Sequence, residues 1–369
     1  MRFKSSFKTL CILILSVFAI PLTCYGSDPS GQQSYQSGFP SLMESIQFKK
    51  DIEFCGIKIP LQDQDVKERF EKEMLLILWE RPQVILWIKR AARFFPHVEK
   101  ILKEYGLPQD LKYVPLIESA LRPHAGSSKD AIGFWQFLGS TGRNYGLRVD
   151  SQVDERRNIF KSTHAACKYL KAMNEQFGSY LLAVSAYNMG EYGLEREIQI
   201  QDNNDFFTLY LPLETQRYAF RLFCAKLIYE NPESYGFFFK KSDLYPVFSF
   251  DTVHIKLDFQ IPISVIAKAA QVPFKTIKDY NPELRGYYLG KGDFSILIPK
   301  GTAKIFKENY TLQYKDWEKM YKKKFHIVKD GDSLGKIAEK YDISFLFLLK
   351  LNNLSVKSII HPGDRLLIE

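Results

Sequence analysis

The sequence has few of the residues that bind metals or cross-link small folds. Its five cysteines form no Cys-x-x-Cys pair, it contains no His-Glu-x-x-His, and its six histidines are scattered. Structural and hydrolytic zinc sites need ligands at such spacings, so no metal and no cofactor is expected. Cys11 and Cys24 lie in or beside an N-terminal apolar stretch, which leaves Cys55, Cys167 and Cys224. An odd count leaves at least one thiol free in a monomer, with a Cys167–Cys224 bridge left open. The N-terminal apolar run, Thr9 to Leu22, is short for a full membrane span. Extended disorder is also missing, because 46% hydrophobic and 15% aromatic residues make a core-forming chain. At 369 residues it has room for two or three domains.

The N-terminus reads as a targeting segment. Arg2, Lys4 and Lys8 precede the apolar run, and Cys24-Tyr-Gly26 offers small residues for cleavage before Ser27. Residues 1–26 are thus expected to be a secretory signal peptide. An uncleaved anchor and a lipid-bearing Cys24 are the alternatives, and Pro21-Leu-Thr23 fits the lipid signal poorly. The expected location is the periplasm or cell envelope, with membrane association through the signal or a lipid left open. The formal charge is +9, which becomes +6 without the three basic signal residues. Such a surface suits an anionic polymer or a membrane. The compartment argues against nucleic acid.

Residues 27–45, rich in Ser, Gly and Gln, read as a flexible leader. Residues 46–235 read as one mostly helical domain. Helical periodicity runs through 62–104, with a second helix over Pro82–Phe95. Further helices are expected at Arg157–Phe177, Leu181–Tyr187 and Glu214–Tyr229. Ser140–Gly146 reads as a loop with a helix start. Composition changes near Pro232. Residues 325–369 run strand, helix, helix, strand, and residues 250–300 repeat that plan loosely, with Asn281-Pro-Glu-Leu284 standing where Asn352-Asn-Leu354 stands. The lysine run at 322–324 reads as a solvated linker. The fold class is α+β: a helical domain followed by small βααβ modules.

Glu118 stands out. Read as a helix, Leu111, Val114, Glu118 and Leu121 share one face, and Pro115 is expected to kink that helix. An unpaired carboxylate on an apolar face costs several kcal/mol or holds a proton. A proton-holding carboxyl is what glycosidic cleavage needs. A Glu satisfied by a backbone or Arg partner inside a core is the ordinary alternative. Three clusters follow: Ala131–Phe137, where Phe134 and Trp135 offer sugar-stacking or core surface and Gln136 an amide; Ser140–Gly146; and Ser185–Gly190, where a helix ends in Tyr187-Asn188. Asp130, Asp154 and Glu155 lie in polar stretches and read as surface groups, so Glu118 has no second carboxylate in a comparable setting.

Together, Glu118-Ser119, Gly133-x-x-Gln136 and Ala186-Tyr-Asn-x-Gly-Glu191 resemble the lytic transglycosylases with a goose-lysozyme-like catalytic domain over residues 60–230. Pro96–Leu111 and Leu211–Tyr218 share that likeness. Val328-x-x-Gly-Asp-Ser-Leu334 and Pro362-Gly-Asp-x-Leu366 resemble LysM. Met189, Tyr192 and Leu138-Gly139 depart from the family pattern. The resemblance implies a lysozyme-like fold and cleavage of the β-1,4 bond between N-acetylmuramic acid and N-acetylglucosamine in peptidoglycan, leaving 1,6-anhydro ends. It implies Glu118 as the acid, Ser127 at the sugar N-acetyl group, and Ser119, Phe134, Trp135, Gln136, Tyr187, Asn188, Glu214 and Tyr218 along the substrate. It places glycan contacts of the last module at Gly331, Asp332, Ser333, Ile359, Ile360 and Pro362, although Asp332 equally suits a helix cap. The implied partner is the glycan strand, bound by a monomer without cofactor. A hydrolytic muramidase of the same fold and a silent wall-binding scaffold are the alternatives.

Overall fold

The computed structural model describes residues 40–48, 51–323 and 325–368. The signal peptide expected at 1–26 and most of the leader lie outside these residues. Where the leader is described, it is ordered: Ser41 and Glu44 close a capping box on the short helix Leu42–Ser45.

The first long helix, α1, spans Gln64–Trp79. Asp63 caps it by accepting from the amides of Asp65 and Val66. Val66, Phe70, Met74 and Ile77 recur every three or four residues and are buried. Helix α2, Arg81–Glu104, outruns its expected end at Phe95 and passes through Pro96. Pro96 is exposed, and the buried face continues beyond it through Val98, Ile101 and Leu102. Tertiary burial therefore outweighs the lost backbone bond. Helix α3, Tyr113–Ser119, carries Glu118. Helices α4 (Ile159–Phe177), α5 (Tyr180–Met189), α6 (Glu191–Gln201) and α7 (Leu213–Glu230) complete the main bundle. Gly178 ends α4 in the left-handed conformation its missing side chain permits. Helix α7 packs on α1 through Phe220 and Phe223 against Phe70.

Two βααβ modules follow. In the first, β1 (Phe250–Leu257) and β2 (Gly292–Pro299) pair antiparallel along their whole length, enclosing α8 (Ile263–Ala270) and α9 (Phe274–Tyr280). A helix, α10 (Ala303–Lys323), packs its Phe306 into that module's core. The lysine run thus begins as the end of a helix rather than as a free linker. The last module pairs β3 (Phe325–Ile327) with β4 (Arg365–Leu367) around α11 (Leu334–Lys340) and α12 (Phe345–Leu351). One buried amide marks the repeat. Asn281 Nδ2 donates to the carbonyls of Ile277 (2.8 Å) and Leu297 (2.7 Å), and its Oδ1 accepts from Leu297 N (2.7 Å). Asn352 makes the same three bonds, to Leu348 O, Leu367 O and Leu367 N, at 2.8, 2.9 and 2.7 Å. In both, the amide ties the end of the second helix to the closing strand.

The first module is docked on the helical domain. Asp154 N donates to Glu283 O (2.8 Å), Asn158 Nδ2 donates to Glu283 Oε1 (2.9 Å), and Val153 buries its side chain in the module's core. Asp154 and Glu155 are therefore not surface groups: both are buried, Asp154 held by Arg156 and Glu155 by Lys161 and the amide of Arg148. Asp130 is exposed, as expected. Cys55, Cys167 and Cys224 are all free thiols, so the Cys167–Cys224 bridge is not formed. Among the described residues, no helix is long and apolar enough to cross a membrane.

Candidate active site

The Glu118 helix is shorter than its apolar pattern suggests. A 3₁₀ turn, Gln109–Lys112, leads into α3, which starts at Tyr113. Pro115 therefore falls in the first turn, where no amide is required, and it makes no kink. Ala120 and Leu121 then take left-handed φ values of 51° and 55°. For residues with a Cβ this costs roughly 1–2 kcal/mol each. Two arginines serve the freed carbonyls: Arg90 Nη1 donates to Ala120 O (3.2 Å) and Arg122 Nε to Ser119 O (3.0 Å).

This corner turns Glu118 out of the core. Leu111, Val114 and Leu121 are fully buried, but Glu118 is half-buried on a cleft of about 530 Å³. Desolvation raises its pKa from 4.5 to about 7. Tyr218 and Arg221 pull against that rise, and Glu214 adds slightly to it. The anomaly of a carboxyl on an apolar face thus becomes a group poised between its two protonation states near neutral pH.

Helices distant in sequence supply the rest of the cleft. Glu73 on α1 is buried, and both its oxygens are held by Arg217, at 2.6 and 3.3 Å. Glu214 pairs with Arg221 at 2.5 Å. Glu80 stands exposed at the rim. Neither Glu73 nor Trp87, which also lines the cleft, was expected from the sequence. Glu73 carried a readable signal, since it follows Phe70 and precedes Ile77 on the buried face of α1. Among the described residues, three buried polar atoms here lack a hydrogen-bond partner of standard geometry: Trp87 Nε1, Tyr218 Oη and Arg221 Nε. Folded proteins rarely leave such groups unpaired. The Tyr218 hydroxyl approaches Glu118 closely enough to lower its pKa as a hydrogen-bond donor, although the pair falls outside standard hydrogen-bond geometry.

The expected substrate residues divide. Glu118, Ser119, Asn188, Glu214 and Tyr218 border this cleft. Ser127, Phe134, Trp135, Gln136 and Tyr187 do not. Phe134 and Trp135 are buried and offer this cleft no face: Trp135 donates its Nε1–H to Thr163 (2.9 Å), and Phe134 meets Phe94 edge to face. Gln136 spends its amide on the carbonyls of Ala125 and Gly133, at 3.1 and 2.8 Å. Ser119 is buried, with Oγ 2.9 Å from Pro115 O and 2.7 Å from Phe134 O. Tyr187 donates to Trp135 O. These residues brace the Gly133–Gln136 loop against the Glu118 helix. Ser127 accepts from the amides of Lys129 and Ala131 in an exposed loop. Asn188 accepts from the Thr215 hydroxyl at 2.9 Å. In the last module, Ser333 caps α11, while Asp332 closes its own turn by accepting from His326 and from Lys329 N. Asp332 is thus not the helix cap. Gly331, Ile359 and Pro362 are exposed, and Ile360 packs on the module's core.

Residues 97–209 match the transglycosylase SLT domain model, 249–315 the LysM-like domain model of lytic transglycosylase MltD, and 326–369 the LysM domain model. The chain carries a transglycosylase SLT domain followed by LysM domains. Glu118, with Ser119 and the bracing loop, lies inside the stretch matched by the SLT domain. Over 295 residues the chain is 30% identical to membrane-bound lytic murein transglycosylase D of Escherichia coli K12, covering 76% of this chain and 64% of that protein. The protein of that name from strain O6:H1 gives the same figures. The chain thus spans 64% of the length of these two relatives. Among solved structures, the 70 kDa soluble lytic transglycosylase of Escherichia coli shares 18% identity over 40% of this chain and 26% of that one, with a TM-score of 0.32.

Proposed function

We propose that this protein is a peptidoglycan lytic transglycosylase in which Glu118 is both acid and base. The observation that carries this reading is a single carboxyl with its pKa raised to about 7 on a cleft whose buried carboxylate, Glu73, is already committed to an arginine. Paired acid–base glycosidases need two available carboxylates. Glu214 is paired with Arg221, and Glu80 is exposed at the rim. Among the described residues Glu118 is thus the one carboxyl of the cleft that burial holds near its protonated form, which fits substrate-assisted chemistry. Glu118 protonates the glycosidic oxygen between N-acetylmuramic acid and N-acetylglucosamine, and the C1–O bond breaks. The muramyl N-acetyl oxygen shares the positive charge at C1. The ionised Glu118 then removes the proton of the C6 hydroxyl, O6 closes on C1, and the anhydro ring forms without water or cofactor. Asn188, Glu214 and Tyr218 face the sugar. Ser119, Gln136 and Tyr187 hold the acid in place.

In this reading, residues 1–26 export the chain to the cell envelope, 46–235 form the catalytic domain, and 250–300 and 325–369 bind glycan as monomeric LysM-type modules. Gly331 to Ser333 and Ile359 to Pro362 supply the two contacting loops of the last module. Glu118→Gln is expected to lower cleavage of isolated sacculi by about 10²–10⁴-fold, the range for losing a general acid. Mass spectrometry of the wild-type digest should show anhydromuramic ends. Reducing ends in their place would make the enzyme a hydrolase, and undiminished cleavage by Glu118→Gln would remove the acid from the mechanism.

A further inference from the structure

A second cavity of about 540 Å³ lies between the helical domain and the first module, and Arg122 borders both it and the Glu118 cleft. Arg90 and Arg93, one helical turn apart on α2, enter it beside Arg122. No carboxylate pairs with any of the three among the described residues. Arg90 and Arg122 each spend one N–H on a backbone carbonyl of the Glu118 corner. A guanidinium has five N–H donors, so most of theirs stay available. Arg93 lies over the ring of Tyr245 at 4.8 Å, with Lys89 over the same ring at 5.0 Å. Among the described residues the one acid on the wall, Asp279, is exposed and paired with Lys275. The concentration of positive charge is felt by its members. Burial, then Arg122 and Arg93, depress the pKa of Arg90, although Tyr245 opposes them. Burial, then Arg157 and Lys278, depress that of His124, with Asp279 opposing. Much of the remaining wall is apolar, with Phe94, Phe160, Phe248 and Tyr280 among aliphatic and proline side chains, and Asn158 and Ser249 add polar groups.

We propose that this cavity binds the carboxylates of the peptide arms borne by the glycan strand, which rests on the transglycosylase reading above. Convergent guanidiniums without acidic partners repel one another until an anion joins them, and their planar forks match carboxylates. The apolar wall suits the apolar part of a peptide. A peptide arm leaving a sugar seated at Glu118 meets Arg122 first, because that residue borders both cavities. Capping of the Glu118 corner accounts for one donor each of Arg90 and Arg122 and for none of Arg93. A lipid headgroup fits less well, since the guanidiniums sit in a recess between two domains rather than on one flat face.

The test uses the full chain. Calorimetric titration with a free stem tetrapeptide should show binding that weakens with salt. Arg93→Gln and amidation of the peptide carboxylates should each weaken it about tenfold, and Arg93→Lys should recover part of the loss. With glycan strands as substrate, Arg93→Gln should raise KM on peptide-bearing strands and leave KM on peptide-stripped strands unchanged. Equal peptide affinity in Arg93→Gln would overturn the proposal. So would inorganic phosphate or anionic phosphatidylglycerol vesicles binding at Arg93 while the peptide does not. Cleavage of neither kind of strand would overturn the activity reading alone, since the peptide titration decides this site independently.

Discussion

A carboxyl that gives up a proton and then takes one back works best with its pKa near ambient pH. At Glu118 two opposed influences set that value. Desolvation raises it to about 7, while Tyr218 and Arg221 pull it down. In the proposed mechanism the protonated form starts the reaction, so activity should fall as pH rises through 7. Removing the phenol hydroxyl in Tyr218→Phe removes a stabiliser of the carboxylate. That falling limb should then move to higher pH, which a pH–rate profile on soluble glycan would show; a limb that stays in place would mean that Tyr218 does not act on the acid. The sequence already singled out Glu118, because one charge on an apolar face is a local anomaly. It could not distinguish Trp135 as a sugar platform from Trp135 as core. An aromatic residue beside a glycine reads the same in both roles, and only the bond to Thr163 and complete burial decide.

At the scale of elements, the loop that braces Glu118 depends on one glycine. Gly133 has φ +86°, and a Cβ there would lie 1.9 Å from the Arg156 carbonyl oxygen. The three nearest atoms, Arg156 O, Arg156 C and Arg157 N, are all backbone, so the loop must move. Gly133→Ala is therefore expected to cost about 3 kcal/mol or more, read as a lower thermal midpoint together with reduced activity. In the modules, Asn281 and Asn352 each close the second helix onto the last strand with three hydrogen bonds. Alanine at either position leaves backbone groups unpaired. Asn281 is fully buried, and its loss should cost about 2–4 kcal/mol. Asn352 is half-buried and should cost less. Denaturant melts of the two variants would rank them, and the reverse order would refute the burial argument. Here periodicity and motif spacing were readable, and so was the repeat. The end of α2 was not, because the pull of a proline is local while the burial of Val98, Ile101 and Leu102 depends on helices elsewhere in the chain.

At the scale of the molecule, the hydrophobic side chains of the described residues form three separate cores, one in the helical domain and one in each module. The first module's core takes in Val153 of the helical domain, whereas the last module's core uses only its own residues. Deleting residues 324–369 should therefore leave the thermal midpoint of the remainder within about 1–2 °C, since a loss of 1 kcal/mol would already move it by about 2–4 °C. Co-sedimentation with insoluble peptidoglycan should weaken, because a tethered second site raises local concentration without adding chemistry. A large drop in the midpoint would show that the last module supports the rest.

By itself the sequence singled out Glu118 and marked out the order of the domains and the internal repeat. Each of these lies in the spacing of residues close together along the chain. Only the tertiary structure decided which groups meet. Glu73, Trp87 and Arg221 reach Glu118's cleft from three helices, and Arg90, Arg93 and Arg122 converge beside a module that begins more than a hundred residues after Glu118. Such meetings follow from how buried faces pack between distant segments, and local spacing carries no record of that.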